Sequence, residues 1–323
     1  MKQVLAIRRA IERVLSEREG AVVIGPDVGA WGGVYRATAG LRERFGADRV
    51  IDLAHNPLAS FGFARGLALA GRPVVCELAR EDAAREAGAL ALDIARWSRL
   101  GEATVDATWG KAAGSRRAEA SVAPIVIRVP VGNAADLSPW LGASGPDVHV
   151  TLASSAQAAF AAIAGGVGSG ASVVLVLEPE GLYRAGDVEL GPLEDAPLST
   201  IGVPGGVSPL SPVPADGEDL VILAAGAGVP AARDVAAALG RERFVITVFE
   251  LAALTPLALE PVTEALARCG RAVLHVDGGP LGERLAGHLM AASFLTLEAP
   301  IRTVSTAAGA ASLLAACRST LDF

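Results

Sequence analysis

Between residues 3 and 18 the apolar positions Val4, Ile7, Ile11, Val14 and Leu15 recur at helical spacing, with arginine and glutamate between them, which predicts an amphipathic helix. The pattern then changes. Residues 21–25 form a short unbroken apolar run that stops at Pro26 and Asp27, as a parallel strand does when it is buried on both faces and ends in a loop. Runs of the same kind occupy 50–53, 73–76, 125–129, 148–152 and 172–177, and helical patterns over 61–70, 81–100 and 156–164 separate most of them. Strand and helix therefore alternate. The expected fold class is α/β, a parallel sheet with helices on both faces.

Composition shifts after Tyr183, where Pro192, Pro197, Pro204, Pro209, Pro212 and Pro214 accompany Gly, Ser and Asp. Proline removes backbone donors and favours extended chain, so residues 186–217 are expected to link a first domain, 1–185, to a second, 218–323. The second repeats the α/β pattern with strands over 220–225, 244–249, 272–276 and 301–304 and helices over 230–239, 259–269 and 281–295.

The chain has 323 residues, 51% hydrophobic and 20% charged, a globular composition long enough for two such units. It contains 37 glycines but only 8 Phe, 4 Trp and 2 Tyr, so the core must come from Ala, Val, Leu and Ile. A net charge of -7 and a pI near 5.3 argue against nucleic acid as a partner. Cys76, Cys269 and Cys317 are widely spaced and form no pair motif, which fits a reduced, cytoplasmic setting. Charges recur through the first 19 residues, where a signal peptide needs an unbroken apolar core, and the least charged stretch, 148–177, carries Ser154, Ser155, Gln157 and a glycine-rich segment; no membrane partner is expected.

Few motifs point to chemistry. The four histidines, His55, His149, His275 and His288, lie in no metal-ligand spacing, so no metal is expected on this chain. Glycine clusters at 165–170 and 225–228 lack the order and the downstream acid of a dinucleotide fingerprint and are expected as flexible tight turns. The segment 110–115 has its lysine at the start, not the end as in a phosphate-binding loop, and reads as solvated loop.

Five segments taken in order carry more. GPDVGAWGGVYRATAGLRERFGADRVID at 25–52, GFARGLALAGRPVV at 62–75, LEPEGLYRA at 177–185, LAAGAGVPAARDVAAAL at 223–239 and FELAALTPLALEPVTEALARCGRAVLHVDGG at 249–279 resemble the beta subunit of thiamine-diphosphate-dependent 2-oxo-acid dehydrogenases, the pyruvate and branched-chain type. The resemblance implies a transketolase-like pyrimidine-binding domain followed by a smaller transketolase C-terminal-type domain. It also implies a divergent beta subunit of a heteromeric enzyme acting on a small-molecule 2-oxo acid or ketone donor. Thiamine diphosphate would be shared with an alpha-type subunit that carries the diphosphate-binding domain and Mg2+, in an α2β2 heterotetramer.

In that family a glutamate before the Gly-Phe-Ala helix bonds the aminopyrimidine and starts catalysis. An ungapped match puts Pro57 in its place, and matching PLAS at 57–60 to the family's Pro-Leu-Ala-Glu puts Ser60 there; neither is a carboxylate. The family's earlier acid is Pro26 here, with Asp27 beside it. The aromatics expected after the 73–76 strand and the substrate-facing histidine before the 148–152 strand have no counterparts. His55 and Asn56, next to the vacant position, are the candidates for a hydrogen bond to the pyrimidine, His55 being alternatively a capping or interface residue. Asp27, Pro57, Ser60 and Asp82 are the candidate cofactor-binding positions. Glu77, Glu81 and Asp82 could replace the carboxylate or form the solvated start of a helix. Trp31, Tyr35 and Trp140 read as partner contacts or loop anchors. The competing implication is a catalytically degenerate beta-like subunit that stabilises or positions an alpha partner.

Overall fold

The computed structural model describes residues 2–104, 122–133, 135–145, 147–168, 172–185, 190–210, 214, 217–276 and 279–323; the segment 110–115 lies outside them. The chain forms two compact units, Met1–Val131 with Pro139–Pro204, and Gly132–Ser138 with Gly205–Phe323.

The first unit opens with α1 (Gln3–Glu17), whose stripe of Ile7, Ile11, Val14 and Leu15 is fully buried. Strands and helices then alternate: β1 (Val22–Gly25), α2 (Leu41–Phe45), β2 (Val50–Asp52), α3 (Pro57–Leu69), β3 (Val74–Glu77), α4 (Arg80–Thr104), β4 (Ile125–Val131), β5 (Val148–Leu152), α5 (Ala156–Gly168) and β6 (Val173–Pro179). The unit's strands lie in the order β5-β6-β4-β3-β1-β2 and all run parallel. The unbroken apolar runs are explained by burial on both faces. On one face α1 and α5 pack together over Val23, Val75, Val126 and Val174; on the other lie α3 and α4.

The glycines at 165–168 are not a turn. Helix α5 runs through them to Gly168 because they are where it passes closest to its neighbours. A Cβ at Gly166 would sit 2.8 Å from a Val126 methyl, and one at Gly168 would overlap the Leu198 carbonyl oxygen. Close approach, not backbone freedom, is what glycine supplies here.

The proline-rich stretch, expected as a linker, is folded where it is described. Leu190, Leu198 and Ile201 are buried in the same core as α1 and α5. The Arg13 guanidinium donates to the carbonyls of Leu193 (3.0 Å), Glu194 (2.8 Å) and Ala196, so the donors that proline removes are replaced by one arginine fork.

The second unit begins with β7 (Val207–Pro209), an edge strand antiparallel to β9, followed by β8 (Leu220–Ala225), α6 (Gly228–Arg241), β9 (Ile246–Leu251), β10 (Ala253–Thr255), α7 (Glu260–Cys269), β11 (Ala272–Val276), α8 (Pro280–Ser293), β12 (Arg302–Ser305) and α9 (Gly309–Leu321). Its sheet has the order β12-β11-β8-β9-β7. Helices α6 and α9 cover one face over Leu220, Ile222, Val248 and Val273, and α7 and α8 cover the other. Among the described residues no helix is long and apolar enough to cross a membrane.

Candidate functional site

In an open parallel sheet, ligands bind outside the carboxyl ends of the strands, so the loops leaving β1, β2, β3, β4 and β6 define the place to search. The first of these spans residues 26–40, and three side chains hold it on one path. Asp52, ending β2, accepts from the backbone N–H of Gly29 (2.6 Å) and Ala30 (3.3 Å) while its other oxygen takes Arg42 at 2.7 Å. The Thr38 hydroxyl donates to the Val28 carbonyl at 2.8 Å. Glu77, ending β3, accepts from the Val34 N–H at 2.6 Å. Asp27 takes left-handed backbone (φ 57°), and its carbonyl accepts from the N–H groups of Trp31 and Gly33. Gly33 has φ 67°, and a Cβ there would overlap a Glu77 carboxylate oxygen, so glycine is required on both counts. The loop leaves Trp31 73% exposed at its tip.

Beneath it lies a fully buried ionic network. Arg128, in β4, donates through Nε (2.8 Å) and Nη2 (2.9 Å) to both oxygens of Glu178 at the end of β6, and through Nη1 to Glu77 on β3. The Tyr183 hydroxyl donates to Glu178 at 2.5 Å, Tyr35 of the loop stacks on the Tyr183 ring at 4.6 Å, and the Arg184 guanidinium lies 5.7 Å from the centre of the Tyr35 ring. Buried charges persist only when paired and hydrogen-bonded, and here three neighbouring strands supply the charges while Tyr183 and the Val34 N–H add the remaining bonds. Burial pushes the Glu77 carboxyl up, which Arg128 and the Val34 N–H only partly offset. Burial alone would pull the Arg128 guanidinium down, but Glu178 and Glu77 reverse this and hold it above its ordinary value. Glu77 is thus not part of a solvated helix start; it closes β3 at 1% exposure, and only Glu81 and Asp82 belong to the first turn of α4.

The six candidate positions separate into two groups. Asn56, Pro57 and Ser60 build the start of α3. The Asn56 Oδ1 caps it by accepting from the Ala59 N–H at 2.9 Å, Pro57 is its first residue, and Ser60 is buried one turn on. His55, Asp82 and Asp27 come together from two loops and the first turn of α4. The His55 Nδ1 is 3.1 Å from Asp82 Oδ2, its Nε2 is 3.8 Å from Asp27 Oδ2, and Arg85 donates to Asp82 Oδ1 at 2.6 Å. His55 and Asp27 are more than half exposed, whereas Asp82 is 15% exposed. Trp140, by contrast, is a core residue. Sequence reasoning passed over Arg128, Glu178 and Tyr183. The signal was present: a single charge inside an apolar strand must be paired at the strand's own level.

Residues 211–316 match the family described as the C-terminal domain of transketolase. The chain is 30% identical over 319 residues to the pyruvate dehydrogenase E1 component subunit beta of Staphylococcus epidermidis, covering 94% of this chain and 89% of that protein. With its Staphylococcus aureus counterpart the identity is 29% over 321 residues, 95% and 90% of the two chains. Among solved structures, a split-gene transketolase described as an inactive beta4 tetramer superposes with a TM-score of 0.66 at 17% identity, covering 100% of this chain and 98% of that one. A 2-oxoglutarate:ferredoxin oxidoreductase from Magnetococcus marinus, holding 2-oxoglutarate, coenzyme A and succinyl-CoA, superposes with a TM-score of 0.63 at 11% identity over 99% of this chain and 65% of that one. The two structures share the α/β architecture, and the sequence identity sustained along nearly the whole length goes further: the chain belongs to the family of pyruvate dehydrogenase E1 component beta subunits.

Proposed function

We propose that this chain is the beta subunit of a heteromeric thiamine-diphosphate-dependent enzyme acting on a 2-oxo acid or ketone donor. An alpha-type subunit completes the site with the diphosphate-binding domain and Mg2+, in an α2β2 assembly. The observation that carries the reading is the convergence of His55, Asp27 and Asp82 at the carboxyl edge of the first sheet, in a chain of this family. The donor set fits an aminopyrimidine, because its amino group needs acceptors and the His55 Nε2 and the Asp27 carboxylate are both acceptors facing solvent. Bound there, thiamine diphosphate supplies the electron sink for carbonyl chemistry. This chain's part is to orient the ring and to hold or release a proton at the His55 Nε2. Glu77 cannot take that part, since both of its oxygens accept bonds in the buried network.

The test is calorimetric titration of thiamine diphosphate, with Mg2+, into this chain purified with its alpha-type partner. Saturable heat is expected, and His55→Ala should lower turnover by about 10²- to 10⁴-fold, as loss of one acid–base group does. An absence of heat in the intact complex refutes the enzyme reading. Pro57 at the family glutamate's position favours a second reading, a degenerate subunit that stabilises an alpha partner, and the same silent titration would support it.

A further inference from the structure

Resting on that reading, we propose that Asp82 is a positioning residue. It holds the His55 imidazole with its proton on Nδ1, and so turns Nε2, together with the Asp27 carboxylate, into a paired acceptor for a ligand amino group. Asp82 sits in the first turn of α4, where the helix N-terminus favours a carboxylate, and Arg85 one turn on binds its Oδ1 at 2.6 Å. An ionised carboxylate only accepts, so the 3.1 Å contact between Asp82 Oδ2 and His55 Nδ1 requires the proton to be on Nδ1. The neutral ring then carries its lone pair on Nε2, 3.8 Å from Asp27 Oδ2. That separation is too long for a hydrogen bond between the two, and two acceptors leave nothing to donate. A group with two N–H donors, such as the exocyclic amine of an aminopyrimidine, satisfies both. A carboxylate or phosphate finds no donor at the pair formed by His55 Nε2 and Asp27, so this pair does not hold the substrate acid or the diphosphate.

Asp82 had the sequence signature of a cofactor contact; in this geometry it acts through His55 instead. The arrangement can be read without any turnover. In the full chain with 15N-labelled histidine rings, long-range 1H–15N spectra at about pH 8, where an ordinary imidazole is neutral, give the tautomer directly. His55→Ala assigns the signal among the four histidines. The expected result is Nδ1–H in the wild type and a shift toward Nε2–H in Asp82→Asn, whose amide can donate to Nδ1. Asp93→Asn, which touches Arg65 farther along α4, serves as the control and should leave the tautomer unchanged. Nε2–H in the wild type, or the same tautomer in Asp82→Asn, overturns the proposal.

Thiamine diphosphate affinity in the complex with the alpha partner supplies the second arm. Asp82→Asn should weaken binding by about fivefold or more in the wild-type background and not at all in a His55→Ala background. An equal loss in both backgrounds marks a structural role and overturns the positioning assignment. If the wild-type complex binds no thiamine diphosphate while the tautomer behaves as expected, the proposed function fails and the placement of the His55 proton by Asp82 stands.

Discussion

Replacing Arg128 by methionine, which keeps the volume and removes the charge, isolates what the buried network contributes. The substitution leaves the Glu77 and Glu178 carboxylates buried without their cation. With the Nε contact to Glu178 at 2.8 Å, charge centres about 4 Å apart attract by about 4 kcal/mol at an effective dielectric of about 20. The variant does not lose all of this for each pair, because an orphaned carboxylate can take a proton. Keeping a glutamate of ordinary pKa neutral at about pH 7 costs about 3.7 kcal/mol, and the expected loss is about 3–5 kcal/mol.

The pH dependence follows from the sign of the shift. Glu77 is already raised by burial with Arg128 offsetting part of it, and removing Arg128 lifts the Glu77 carboxyl further. A carboxyl raised in the folded state gives stability below its ordinary pKa that is lost as pH rises. The deficit of the variant should therefore shrink as pH falls, by about 1.4 kcal/mol per pH unit for each carboxyl that takes up its proton. Urea unfolding followed by tryptophan fluorescence measures this for the right unit, since Trp31, Trp97, Trp109 and Trp140 all fall in the sequence span of the first. A deficit below about 1 kcal/mol, the size of a surface pair, or one unchanged between about pH 8 and about pH 5, refutes the reasoning.

Burial pushes the Cys76 thiol, beside Glu77, and the Cys317 thiol up to about 12, and raises Cys269 as well. With a thiolate fraction of about 10⁻⁴ at about pH 8 for Cys76 and Cys317, and burial of all three, none should be alkylated by iodoacetamide in the native chain and all three should be after urea, counted by intact mass; a stoichiometric native label would contradict their burial. Two glycine substitutions should go in opposite directions in thermal unfolding. Gly66→Ala, inside α3 with open space around it, should stabilise by about 0.5–1 kcal/mol, whereas Gly168→Ala, which drives a methyl into the Leu198 carbonyl, should destabilise by about 1–3 kcal/mol. Equal effects would deny the close approach of α5.

Much of the fold was legible because burial on two faces writes itself as unbroken apolar runs: β4, β5 and β6 lie within two residues of the runs that announce them. The misses have physical causes. Helix α9 carries polar and apolar residues without a stripe strong enough to stand out, and β7 is a three-residue edge with a proline in it. The glycines of α5 looked like a turn because composition alone does not distinguish a residue chosen for φ from one chosen for having no side chain. At the candidate site the sequence placed His55, Asp27 and Asp82 on separate segments, and only the folded strand ends show that they meet. Glu77 was misassigned because a glutamate just ahead of a charged helix start resembles the helix's first turn until the strand is seen to include it.

The ionic network also acts on which sheet the chain can build. Its three charges sit on β3, β4 and β6, which are side by side in the sheet although β5 intervenes in sequence between the last two. Side chains alternate between the two faces of a strand, and Arg128 shares its face with Val126 under α1 and α5, so a slip of β4 by one residue would turn it to the opposite face, away from both glutamates. Two buried carboxylates would be left unpaired, and the penalty falls on every mispaired arrangement at once. An interior made almost entirely of Val, Ile, Leu and Ala slides easily past itself. One arginine gives it a single setting, and the loop bearing Asp27, tied to Glu77 through Val34, inherits that setting.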